Sequence, residues 1–302
     1  MHSLLDLVQR PDAPHEPAPE RSGELELMDP QRLYELWERQ SWQAHSIDFS
    51  RDREDWDSLD EGLRRQLQWR LSSFFIGEER VTTQFSGLVM AYESQSEEAF
   101  LTTQQVDEAR HTQHFNNFYE QVIGVDGTFD ERLEFARRQL APEFTEMFDV
   151  LLGEWGRRLV ENPRDLEAKI DFVVLYHMMI EGTLALTGQW FLTDYMEREG
   201  ILPGWLKGFR LISQDEHRHV AYGTWLLREK AADPALRRRI TERLAQLIPL
   251  TAAVLLPPRS NPQLDGALGY TAAQTDDFAH SALSRRLRVI GIDMRSLAEA
   301  AV

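Results

Sequence analysis

The sequence predicts an all-α protein: a bundle of four long helices with additional helices around it. Three observations carry this. Apolar residues recur at alternating spacings of four and three along four separate stretches, which keeps them on one stripe of a helix. Capping signals punctuate the chain at matching places. No comparable alternating strand pattern appears. Helices are expected, in order, over 29–39, 58–91, 95–123, 129–139, 142–161, 163–199, 204–231, 234–256 and 271–288.

The stretch 58–91 opens on the capping box Ser58-x-x-Glu61 and carries the stripe Leu67, Leu71, Phe74, Glu78, Val81, Phe85 and Leu88. The next opens on Ser94-x-x-Glu97 and carries Leu101, Gln104, Glu108, His111, Phe115, Phe118 and Val122. Two further helices follow before Asn162-Pro163, a cap residue ahead of a proline at the first helical position. The helix after it carries Ile170, Val174, His177, Glu181, Leu184, Gly188 and Phe191. The stripe of 204–231 is Trp205, Phe209, Ile212, Glu216, His219, Gly223 and Leu226, and Asp233-Pro234 opens the helix beyond. Residues 1–27, rich in Pro, Glu and Arg and without periodicity, read as a disordered tail. Residues 28–256 read as one helical domain, and 257–302 as a linker with Pro257, Pro258 and Pro262 followed by a C-terminal helix.

Composition narrows the function. A chain of 302 residues with 42% hydrophobic content can bury one large core. A net charge of −17 argues against nucleic-acid binding, which needs clustered Lys and Arg; Arg237-Arg238-Arg239 and Arg285-Arg286 read as solvated helix faces. Leu4 to Val8 is too short an apolar run for a signal peptide, and no uninterrupted apolar run reaches membrane-spanning length. A soluble, cytoplasmic protein is expected. The absence of Cys excludes disulfides and thiolate ligation and leaves oxygen and imidazole donors for any metal.

Glu78, Glu108, His111, Glu181, Glu216 and His219 all fall where an apolar core residue belongs. Burying an ionised carboxylate without a partner costs several kcal/mol, so four of them demand counter-charge. Arg80, Arg110 and Arg218 fall off the stripes, which leaves metal ions as the remedy. Glu and His at i and i+3 lie about 60° apart around the axis and reach one ion. One Glu from each of two helices and Glu-x-x-His from each of the other two is the donor set of di-iron and di-manganese carboxylate bundles. Glu79 falls off the stripe and reads as a solvated or supporting charge. The flanking Phe74, Phe75, Phe115, Phe118 and Leu184 make a dry site, which favours oxidation by dioxygen over hydrolysis; iron storage on a four-helix plan is a third possibility.

The runs Ile47-Asp48-Phe49-Ser50-Arg51-Asp52, Gly77-Glu78-Glu79-Arg80-Val81-Thr82, Asp107-Glu108-Ala109-Arg110-His111, Tyr176-His177-Met178-Met179-Ile180-Glu181-Gly182 and Asp215-Glu216-His217-Arg218-His219 resemble the ribonucleotide reductase small-subunit superfamily, over about residues 30 to 255. The resemblance implies a ferritin-like four-helix bundle and a homodimer. Within the superfamily the chain is similar to the ligand-binding oxidases, which implies a manganese-iron pair, with di-iron as the alternative, and a bound long-chain fatty acid. The radical tyrosine of the classical subunit lies four residues after the first motif histidine, where this chain has Phe115. The oxidases join a Val three residues after the first ligand Glu to a Tyr five before the third as an ether, and Val81 and Tyr176 match both offsets.

Five residues rotate about 140° around a regular helix, so Tyr176 and Glu181 share a face only if the helix widens locally into a π-bulge. Resemblance gives Gly77, Gly182 and Gly188 a role in leaving room for an acyl chain; close helix packing is the alternative. It also gives Asp215 the role of hydrogen-bonding a ligand histidine across the site, with Asp107 in the corresponding place and His177 as ligand or support. The expected activity is two-electron C–H oxidation driven by dioxygen. The rival is a tyrosyl-radical-free reductase small subunit, against which stands the absence of any Tyr after Tyr270.

Overall fold

Helices supply every regular element among the described residues of the computed structural model, which are 3–9, 26–255 and 268–301. In chain order they are α1 (Asp6–Gln9), α2 (Pro30–Arg39), α3 (Ser50–Ser58), α4 (Glu61–Gln84), α5 (Ser86–Met90), α6 (Gln95–Phe118), α7 (Phe129–Arg137) and α8 (Pro142–Thr145). There follow α9 (Leu152–Glu161), α10 (Leu166–Val173), α11 (Leu186–Glu199), α12 (Pro203–Lys230), α13 (Pro234–Leu255), α14 (Ala272–Ile290) and α15 (Met294–Ala300). A π-helical segment, Val174–Ala185, joins α10 to α11 without a break. Shorter ones, Tyr119–Ile123 and Glu146–Leu151, extend α6 and join α8 to α9.

Four long helices form the central bundle. α4 packs on α6, the continuous Leu166–Glu199 helix packs on α12, and α6 meets α12 to close the bundle. By length and composition Leu166–Glu199 is apolar enough to cross a bilayer, but 83% of its apolar window is buried inside the protein. It is the core helix of the bundle.

Several boundaries differ from the sequence expectation. Ser58 ends α3, and the cap of α4 is Asp60, whose carboxylate accepts from the Leu63 N–H at 3.0 Å. Likewise α10 starts after Asp165, which accepts from the Ala168 N–H, not at Pro163. Ser94 accepts from the Glu97 N–H as expected, although the Glu97 carboxylate turns to the Glu93 N–H. Asp233 caps α13 as expected. The stretch 58–91 is broken at Phe85, after which α5 crosses α9 so closely that a Cβ on Gly87 would lie 2.3 Å from the Gly156 carbonyl oxygen.

Three helices, α1, α3 and α15, lie outside the ranges expected from the sequence. α3 is dominated by charge, and its Asp52 and Asp55 turn inward: Asp52 accepts the Gly204 and Trp205 N–H groups at 2.8 and 2.6 Å, and Asp55 accepts that of Leu202 at 2.9 Å. They cap α12 from outside, holding Leu202 at φ +54°. The expected tail is ordered in part, since Leu4 and Leu7 of the α1 segment are buried against α13 and α15. The remainder of that tail from 10 to 25, and the Pro257-Pro258 and Pro262 linker, lie outside the described residues.

Candidate metal centre

All six motif residues converge in the bundle, each no more than 6% exposed. Glu78, Glu108 and His111 present one donor atom each within 4.8 Å of one another, and so do Glu108, Glu181 and His219. Glu108 is common to both groups. Its Oε2 lies 3.5 Å from His111 Nδ1 and its Oε1 3.0 Å from His219 Nδ1. Glu78 Oε2 completes one side at 3.3 Å from His111 Nδ1, and Glu181 Oε1 the other at 2.9 Å from His219 Nδ1. Glu216 is buried beside them, and its Oε2, like that of Glu181, has no hydrogen-bond partner.

A ring of charge surrounds these six. His111 Nε2 lies 3.2 Å from Asp215 and His219 Nε2 3.2 Å from Asp107, so each aspartate serves the histidine of the other motif. Trp42 donates to Asp215 at 2.7 Å and Trp37 to Asp107 at 2.8 Å. Arg218, 2% exposed, spans both aspartates at 2.9 and 2.5 Å, and Arg110 approaches both at 3.0 and 3.4 Å. By helical angle both arginines fall off the stripes; they are nevertheless drawn inward, and they neutralise Asp107 and Asp215. Among the described residues no Lys or Arg forms an ion pair with Glu78, Glu108, Glu181 or Glu216.

The electrostatic consequence is a demand for cations. Burial pushes Glu78 and Glu181 up to about 7 against the pull of His111 and His219. Burial, then the neighbouring carboxylates, holds Glu216 well above the carboxylate range. Burial also opposes the ionisation of Glu108, but His219 and His111 hold it well below its usual value. Burial opposes the cationic forms of both histidines, yet Glu78 raises His111, and Glu181 raises His219, well above the ordinary imidazole value. Two orphaned carboxylate oxygens and an all-oxygen-and-imidazole donor set fit a pair of divalent metals of the iron or manganese kind.

The π-helical segment shapes the open side of this centre. Widening over Val174–Ala185 brings residues five apart onto one face, as in the 2.7 Å bond from Thr183 Oγ1 to the Met178 carbonyl. Tyr176 Oη thereby reaches Glu181 Oε1 at 2.5 Å and also touches Glu108 Oε1. Gln104 donates to the same hydroxyl at 3.1 Å and lies 3.2 Å from His177 Nε2, which makes His177 a neighbour of the centre and not one of the clustered donors.

A cavity of about 170 Å³ runs from the carboxylates toward the surface. Glu78, Glu108, Glu181, Glu216, Val81 and Tyr176 form its floor, and Phe74, Phe148, Ile180, Leu184 and Leu192 are among the apolar residues of its wall. Tyr270 and Thr275 also line it. Gly77 and Gly188 line it too, but Gly182 does not: a Cβ there would sit 2.6 Å from the His177 carbonyl oxygen, so it serves the π-helical backbone. Glu79 is 19% exposed and pairs with Arg80 and Arg137, away from the donors. Phe115 is fully buried among Phe74, Phe75, Trp205 and Phe209.

The model of the ribonucleotide reductase small chain matches residues 25–293. The chain belongs to that family. Solved structures with the same fold include an R2-like ligand-binding oxidase with an aerobically reconstituted Mn/Fe cofactor, 25% identical, with TM-score 0.73 over 88% of this chain and 93% of that one. A glycine-to-phenylalanine variant of such an oxidase, anaerobically reconstituted with Mn/Fe, is 25% identical at TM-score 0.72 over 85% and 94%. A tyrosine-to-phenylalanine variant is 24% identical at TM-score 0.76 over 88% and 94%. Family and donor cluster together make this chain a dimetal oxidoreductase.

Proposed function

We propose that this family member is a ligand-binding oxidase: a dioxygen-activating enzyme of the manganese-iron type, with di-iron as the alternative occupant, that performs two-electron C–H oxidation beside a bound long-chain fatty acid. Glu78, Glu108 and His111 would hold one metal, Glu181, Glu216 and His219 the other, with Glu108 shared. The pair supplies the capacity to reduce dioxygen and oxidise a nearby C–H bond. A homodimer follows from the family expectation.

The observation that carries the reading is the position of the Tyr176 hydroxyl, against Glu108 and Glu181 on the cavity floor that Val81 shares. Burial, then the charges of Glu108 and Glu181, holds this phenol well above its ordinary range, so it keeps its proton until one of the two carboxylates takes it. Val81, 3% exposed, offers the C–H bond. Joining the two as an ether forms one C–O bond, breaks one O–H and one C–H bond, and sends two electrons to dioxygen. The apolar wall keeps water out and suits an acyl chain, whose carboxylate end would meet the metals. Neighbouring oxidases have been varied at a Gly, at the Glu directly after it and at a Val three residues beyond that Glu, the spacing of Gly77, Glu78 and Val81.

The second reading, a reductase small subunit, is favoured by the family model itself. It would have to work without a tyrosyl radical at Phe115. The test between them is mass spectrometry of protease fragments from protein loaded with ferrous and manganous ions and exposed to air. A joined Val81 and Tyr176 peptide, lighter by two hydrogens, is expected. Separate, unmodified peptides from fully metallated protein would overturn the oxidase reading.

A further inference from the structure

On the side of His177 away from the cavity lies a buried polar group that the oxidase chemistry does not use. Glu97 and Lys169 form an ion pair at 2.7 Å with each side chain 2% exposed, and the fully buried Tyr222 donates to the same Glu97 oxygen at 2.6 Å. A buried pair of this kind is seldom more stabilising than apolar residues of equal volume, so stability is a weak reason for it. Its neighbours suggest another. The Tyr222 ring lies 5.3 Å from that of His177, which lies 4.5 Å from that of Tyr176 at the centre. On its other side Trp225, partly exposed, is 6.1 Å away.

We propose that Tyr222 and Trp225 form a proton-coupled electron relay between the metal centre and the protein surface, with Glu97 as the proton acceptor. This rests on the oxidase reading. Both particles have a route. Electrons pass along Trp225, Tyr222 and the Tyr176–His177 pair. The proton has a hydrogen-bonded line from Tyr222 to Glu97, to Lys169, and to Glu93 at 3.0 Å, which is 48% exposed and is also held by Lys230.

A phenol oxidised in a dry interior must shed its proton, because the radical cation would be an unpaired buried charge. Tyr222 therefore gives one electron toward the dioxygen-oxidised site and its phenolic proton to Glu97 Oε1, leaving a neutral radical. Trp225, supplied by an external one-electron donor at the surface, returns the electron, and Glu97 returns the proton. Such a relay matters when no substrate C–H bond is in place to be oxidised.

The test uses Tyr176→Phe protein, in which the hydroxyl nearest the centre is removed, loaded with ferrous iron, mixed with oxygenated buffer and frozen for electron paramagnetic resonance, with oxygen uptake followed in parallel. A tyrosyl radical is expected, its hyperfine pattern collapsing with ring-deuterated tyrosine. Adding Tyr222→Phe abolishes it. Glu97→Gln, which leaves the Tyr222 ring in place, also loses it, and Trp225→Phe prolongs it by removing the return electron. Oxygen uptake without a tyrosyl radical, or a radical that survives Tyr222→Phe, overturns the relay. Absence of oxygen uptake by loaded, unmutated protein would instead sink the oxidase reading beneath it.

Discussion

Asp215→Asn tests the crossed wiring of the centre. Asp215 sits next to Glu216 in sequence but holds His111, a member of the opposite donor group, at 3.2 Å, and its other contacts are Trp42, Arg110 and Arg218. The amide keeps one acceptor oxygen where the carboxylate had two, so at least one of these donors is left facing an N–H. Loss of a partner that orients a ligand histidine lowers metal affinity about 10- to 100-fold, which is about 1.4 to 2.7 kcal/mol. The fold is expected to persist, because Asp107 still holds Arg218 at 2.9 Å and Arg110 at 3.0 Å. The assay is anaerobic titration of metal-free protein with manganous ion against a chromophoric chelator, in two backgrounds. Glu181→Ala leaves the Glu78, Glu108 and His111 group intact, and there the substitution weakens binding. Glu78→Ala leaves the Glu108, Glu181 and His219 group, and there it has little effect. The reverse pattern, or equal loss in both, would refute the argument.

Two further outcomes follow from the same geometry. Because Glu108 belongs to both donor groups, Glu108→Ala is expected to empty both positions, whereas Glu78→Ala and Glu181→Ala each empty one, as elemental analysis of purified protein would read. Metal loading should release protons and weaken as pH falls through about 7, where Glu78 and Glu181 of the metal-free chain become protonated; each proton displaced costs about tenfold in affinity per pH unit below that point. The sign for folding is opposite. With pKa values raised above the unfolded 4.5, the folded metal-free chain binds more protons over that interval, so these two groups lower its stability as pH rises. Paired thermal melts with and without metal would separate the two trends.

The sequence made the donor set legible because a glutamate in an apolar stripe is a local anomaly, visible without any tertiary knowledge. The local widening at Tyr176 was legible for a related reason: a hydroxyl and a carboxylate five residues apart cannot share a face of a regular helix. What stayed hidden depended on partners distant in the chain. The resemblance pointed Asp215 at a histidine across the site, as it is found on His111, but nothing in the spacing says that Asp107 serves His219, or that Trp37 and Trp42 from the region before α3 close over the two aspartates. Arg218 looked outward by helical angle, yet a long side chain can turn back to two buried aspartates. The charged α3 gave no amphipathic signal because two of its three buried residues are Asp52 and Asp55, which cap another helix, and only Trp56 is apolar. α1 is held by tertiary burial of Leu4 and Leu7, a cause that four residues of sequence cannot display.

The exchange of aspartates between motifs also ties assembly to function. Neither half of the bundle contains a finished metal position: the helix that supplies His111 borrows its support from α12, and α12 borrows the support of His219 from α6. A chain with only one helix pair docked would lack the aspartate that supports its histidine. On the proposed reading, a metal pair would therefore be held with both histidines supported only once the two halves have closed in register.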